Sequence, residues 1–105
     1  MNIVSNMNYN CELKIDEDLF EGTLDIDGNK YQVWFDYKDI SFEAEEFSQG
    51  EGSISFRMFA GNTVYQLLLE LEEEGQYFGE LREIERVSGM PEKILLTKEI
   101  QLRIK

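Results

Sequence analysis

One cysteine, Cys11, and 22 aspartates and glutamates are the side chains of this 105-residue chain best suited to act as nucleophile, acid or base, and it contains no histidine. Without an imidazole to activate it, a thiol on the apolar side of an alternating stretch reads as an inert, buried cysteine. Two carboxylates roughly 5 to 9.5 Å apart can hydrolyse a glycoside. With 22 acids in so short a chain, however, such pairs arise by chance almost everywhere. No G-x-S-x-G elbow, phosphate-binding loop or dinucleotide fingerprint occurs. The expectation is a protein that is not an enzyme and carries no cofactor.

Metal chemistry is similarly constrained. A lone cysteine and no histidine leave the usual zinc, copper and haem ligand sets unfilled. Oxygen-ligated calcium needs more than acidity, and Asp16-Glu17-Asp18 lacks the loop spacing and central glycine of an EF-hand. Nothing in the opening Met1-Asn2-Ile3-Val4-Ser5-Asn6 resembles a secretory leader, and no apolar run approaches the roughly 18 residues of a membrane span. A cytoplasmic protein without membrane contact is expected.

The formal net charge is −12, and it is unevenly distributed. Residues 1–50 hold 12 acids against 3 bases, residues 51–90 hold 8 against 3, and residues 91–105 hold 2 against 4. Such a field repels nucleic acid and anionic lipid and attracts basic protein surfaces. Acidity also keeps a small protein soluble, a role that needs no partner.

The elements that position these groups follow from a period of two. Cys11, Leu13 and Ile15 alternate with Glu12, Lys14 and Asp16, and Gly22, Leu24 and Ile26 alternate with acids and Thr23. Hairpin registers test the pattern, because a slip of one residue turns every side chain over. Around Gly28-Asn29, Ile26 faces Tyr31, Leu24 faces Val33 and Gly22 faces Phe35. Around Lys38-Asp39, Tyr37 meets Ile40, Phe35 meets Phe42 and Val33 meets Ala44. Around Gly61-Asn62, Met58 meets Tyr65, Phe56 meets Leu67 and Ile54 meets Leu69. Residues 63–74 also fit a helical stripe, with Gly75 as its stop. The strand reading is preferred, because across Glu73-Glu74-Gly75 it sets Leu71 against Tyr77, Leu69 against Gly79 and Leu67 against Leu81. A bulge is expected beyond Leu81, and a parity change near Thr97-Lys98 bends or splits the last strand. The whole is one acidic, mainly β domain over residues 1–105, an antiparallel meander of about eight strands, either a small up-and-down barrel or two packed sheets.

Parity then singles out Trp34. If Val33 and Phe35 point inward, Trp34 points outward between Thr23 and Glu43, with Glu21, Asp25, Asp27, Asp36 and Glu45 on the same face. An indole rimmed by carboxylates suits a basic, arginine-rich partner. The competing reading packs Met1, Ile3, Val4, Met7 and Tyr9 over the indole. Glu70 and Glu72 open a second acidic row, which otherwise serves as a solvated edge. The aromatics Tyr31, Phe35, Tyr37, Phe42 and Phe56 share a face with Leu and Val and read as core, so direct nucleic-acid binding is not expected.

These observations lead to a non-enzymatic module that docks on a basic protein, such as a toxin-immunity protein or a phage-encoded antagonist of the anti-CRISPR type. Carboxylates spaced at roughly 5 Å across strands would then stand in for phosphates. Because like charges repel across the acidic face, the free protein is expected to be a monomer. The alternative is a barrel carrying a small apolar ligand among Phe35, Phe42, Phe56, Leu67 and Tyr77.

Overall fold

The computed structural model describes residues 6–28, 30–37 and 40–105 of the chain, all within or beside eight strands. These are β1 (Asn6–Ile15), β2 (Asp18–Asp27), β3 (Lys30–Tyr37), β4 (Ile40–Gly50), β5 (Ser53–Ala60), β6 (Thr63–Glu73), β7 (Gln76–Glu85) and β8 (Lys93–Ile104). Each strand pairs antiparallel with the next, and β1 pairs with β8, so the meander is a closed barrel rather than a two-sheet sandwich. Residues 63–73 are strand, and among the described residues no helix occurs, hence none long and apolar enough to cross a membrane.

The hairpin registers follow the alternation of apolar residues. Leu24 pairs with Val33, Phe35 with Phe42, Phe56 with Leu67, and Leu71 with Tyr77. Gly28 and Gly61 open their tight turns with φ of 62°, a left-handed conformation that costs a side-chain-bearing residue about 1 kcal/mol. Asn29, Lys38 and Asp39, which the sequence also places in turns, lie outside the described residues, whereas Asn62 forms the turn expected with Gly61. The β6–β7 connection is tighter than the three-residue loop expected, because Glu73 pairs with Gln76 across Glu74-Gly75, with a register shift between Leu71 and Glu73. On β8 the parity change falls at Leu95, not near Thr97-Lys98. Ile84 pairs with Ile94 and Glu83 with Leu96, so Leu95 is the extra residue of a bulge. The last strand is therefore single and bulged near its start.

Inward-pointing side chains fill the barrel. Leu13, Leu24, Val33, Phe35, Phe42, Phe56, Leu67, Ile100 and Leu102 are buried in one cluster, with Tyr9, Tyr31, Tyr65 and Tyr77 packed part-buried against it. The Phe35 and Phe42 rings stack with centroids 4.8 Å apart. Two inward glycines let strands approach where no side chain fits. A Cβ on Gly79 would lie 1.7 Å from the Leu68 carbonyl oxygen, and one on Gly22 would lie 2.5 Å from the Trp34 carbonyl oxygen. The wall can bend toward the axis at both positions.

A second apolar cluster sits outside the barrel. The register sets Phe59, Val64, Ile84 and Ile94 in one row across β5 to β8. Val64 and Ile84 are buried although they lie outside the main core. The β7–β8 connection, residues 86–92, is tied to neighbouring elements around this row. Arg86 N donates to the Asn62 carbonyl at 2.8 Å, the Arg86 guanidinium stands 5.6 Å from the Phe59 ring centroid, and Arg57 pairs with Glu92 at 3.6 Å.

Candidate functional site

β2, β3 and β4 present one outer face, and its centre is Trp34. Strand parity sends the indole outward because Val33 and Phe35 on either side are buried in the core. Trp34 is 40% exposed, paired in register with Thr23 on β2 and Glu43 on β4. One row toward the start of β3, Asp25 pairs with Gln32 and Gln32 with Glu45. Asp36 pairs with Ser41 one row the other way, and Asp27 pairs with Lys30 at the hairpin end. The side chain of Glu45 lies outside the described residues, as do Met1, Ile3 and Val4, three of the residues weighed as a cover for the indole. The other two, Met7 and Tyr9, belong to β1 and pair with Ile26 and Leu24, on the inward-facing side.

The acids of this face differ in how far they are neutralised. Asn8 donates a side-chain hydrogen bond to Asp25, and Gln32 donates one to Glu43 at 3.5 Å. Glu21 is engaged by Lys105, whose ammonium donates to it at 2.9 Å. That hydrogen bond and charge hold the Glu21 carboxyl below its ordinary range, and they raise Lys105 in turn. Arg103 pairs with Glu12 on the neighbouring strand at 3.4 Å. The mildly basic end of the chain therefore runs beside β1 and neutralises the β1–β2 margin of the face. Among the described residues, no lysine or arginine forms an ion pair with Asp25, Asp36 or Glu43.

Glu70 and Glu72 do not join this group. They project from β6, with β4 and β5 intervening between them and β3. Glu70 pairs with Phe78 beside an outer hollow of about 520 Å³ that Leu68, Glu80, Arg82 and Glu99 also line. Glu72 lines another outer hollow, of about 300 Å³, with Glu12, Lys14 and Arg103. Exposed Phe78 was missed in the sequence, although the alternation that points Gly79 inward also turns Phe78 out.

Cys11 is buried, and burial pushes its thiol up to about 11 from 9.0, so it stays protonated at neutral pH. The face offers charge, an aromatic plane and hydrogen-bond acceptors. Compared with protein-family models, with curated proteins and with solved structures, the chain has no match.

Proposed function

We propose that this protein is a non-enzymatic binding module that docks on a basic protein surface through the Trp34 face and thereby inhibits its partner. The observation that carries the reading is an indole 40% exposed at the middle of a three-strand surface, with Glu43 beside it in register. Exposed tryptophan is costly to keep in water and is enriched among residues that dominate binding energy. Asp25, Asp36 and Glu43 around it supply steering toward cations and acceptors for arginine. Glu21 contributes less, because Lys105 already occupies it. An antagonist of a nucleic-acid-handling complex, or an immunity protein for a basic toxin, uses this chemistry. In either role the strand-spaced carboxylates occupy the place of phosphates. Glu70 and Glu72 stand on another wall of the barrel and belong to no single footprint with Trp34.

The carrier alternative has less support. Phe35, Phe42, Phe56 and Leu67, four of the five side chains that would line a ligand cavity, are themselves buried in one packed cluster with the Phe35 and Phe42 rings stacked, and the fifth, Tyr77, packs part-buried against it. The deciding experiment captures basic proteins encoded near the gene, at low and at high salt, with the native protein and with W34A and E43K. Retention of a defined partner at low salt, release at high salt and loss in both variants is expected. A partner held equally at both salt concentrations, or held by both variants, refutes the mechanism.

A further inference from the structure

Among the described residues, the largest collection of exposed apolar side chains lies away from Trp34, where β5 to β8 project past the end of β1. The β1–β8 ladder covers Cys11–Ile15 against Ile104–Ile100 and stops there. Asp16 N donates to the Glu99 carbonyl at 3.0 Å, and among the described residues no strand pairs with the same edge of β8 over residues 93–97. On and beside this edge stand Ile94 at 53% exposure, Leu95, Leu96, Val87, Met90 at 66% and Phe59 at 54%. The row Phe59, Val64, Ile84, Ile94 and the contact of Arg86 with Phe59 tie β5 to β8 at this tip, and Val87, Met90, Leu95 and Leu96 lie in or just beyond the β7–β8 connection at the same end of these strands.

Each of these six side chains leaves about half its surface in water. At ~150–250 Å² per large side chain, the tip therefore exposes on the order of 600 Å² of mostly apolar surface. Each partner in a standard interface buries roughly 800 Å². Isolated exposed apolar residues need no explanation, but a collection of this size does.

We infer that this tip is the contact surface for a second copy of the chain. Charge favours that occupant. Residues 82–98 carry four bases and three acids, and Arg82 and Lys98 are paired with Glu80 and Asp16 beside them, so the tip is close to neutral in a chain of net charge −12. Tip-to-tip contact brings together the parts of two copies that repel least. The acidic faces remain on far walls, since β3 and β7 are four strands apart in either direction round the barrel. The principal extents of 48 × 33 × 25 Å exceed several times the ~8 Å screening length at physiological salt. The repulsion that keeps the acidic faces apart therefore does not oppose this contact. An interface at the small end of the specific range dissociates on dilution. The resulting pair presents two Trp34 faces outward, although the dimer itself does not depend on any role for Trp34.

Sedimentation equilibrium at physiological salt, from about 1 μM to 1 mM, tests the inference with native protein, M90E, L95E and W34A. Native protein and W34A should rise from 12.3 kDa to twice that mass and plateau. M90E and L95E, each a substitution at an exposed position, should remain at monomer mass over the same range with unchanged thermal unfolding. A native chain that stays monomeric throughout overturns the proposal, as does self-association that both glutamate variants retain. Mass that climbs without a plateau also overturns it. Monomeric native protein that instead sediments with neutral phosphatidylcholine vesicles reassigns the tip to a lipid surface.

Discussion

Trp34 and Phe35 are adjacent in the chain and lie on opposite sides of the barrel wall. Phe35 is fully buried and stacks on Phe42, while Trp34 stands 40% exposed between Thr23 and Glu43. Truncating them separates folding from surface chemistry. F35A should cost about 3–5 kcal/mol, as large-to-small changes in a packed core do. W34A should change stability by less than about 1 kcal/mol. Urea unfolding of the two variants measures the contrast, and equal losses would mean that the indole is a structural group.

The close backbone approaches at Gly79 and Gly22 predict intolerance of the smallest possible side chain. G79A drives a methyl group into the Leu68 carbonyl, 1.7 Å away, and the opposing atom is backbone with little freedom to retreat. A loss of about 3 kcal/mol or more is expected in urea unfolding. G28A, in open space but at a φ of 62°, should cost about 1 kcal/mol.

Cys11 predicts behaviour in alkali. Its folded-state value of about 11 exceeds its ordinary 9.0, so between those limits the unfolded chain loses a proton that the barrel retains. Fewer protons bound by the unfolded state means that stability falls as pH rises. The contribution, on the order of 2–3 kcal/mol, is present below pH 9 and gone by pH 11. C11A should flatten that part of the stability–pH curve. Native protein should resist thiol alkylation at pH 8 and react once unfolded. Burial raises Tyr65 and Tyr77 as well, which adds to the alkaline loss above the ordinary phenol value.

The Glu21–Lys105 contact predicts a local titration. The pair holds Glu21 below 4.5, so its contribution is present above that value and is lost as pH falls through the lowered one. Lys105 is raised above 10.5, and its contribution is lost as pH rises through that higher value. In K105Q, the Glu21 carboxyl resonance followed by NMR should titrate nearer 4.5, with little change in global stability because both groups are exposed.

Much of this architecture was legible in the chain. Alternation fixed which faces are apolar, and tight turns fixed which residues meet, since both depend on neighbours within one hairpin. That was enough to turn Trp34 outward and to prefer strand over helix at 63–74. Closure was not legible, because Cys11 and Ile104 are remote in sequence and local alternation carries no information about their pairing. For the same reason Lys105 could not be assigned to Glu21, nor Glu70 separated from Trp34. The outer row of Val64 and Ile84 escaped notice because a chain segment, 86–92, runs close to what parity marks as an outside surface.

The ladder that closes the ring is one of its two shortest seams. Five residue pairs join β1 to β8, against ten between β1 and β2. Every other junction except β4–β5 is laced by more pairs, and each hairpin has its own turn to bring its strands back together. β1 and β8 have no such tether, so once parted they reunite only through the rest of the wall. Transient opening should therefore begin there, as an unzipping into a curled sheet, and amides along that seam should exchange with solvent ahead of those on β6 and β7.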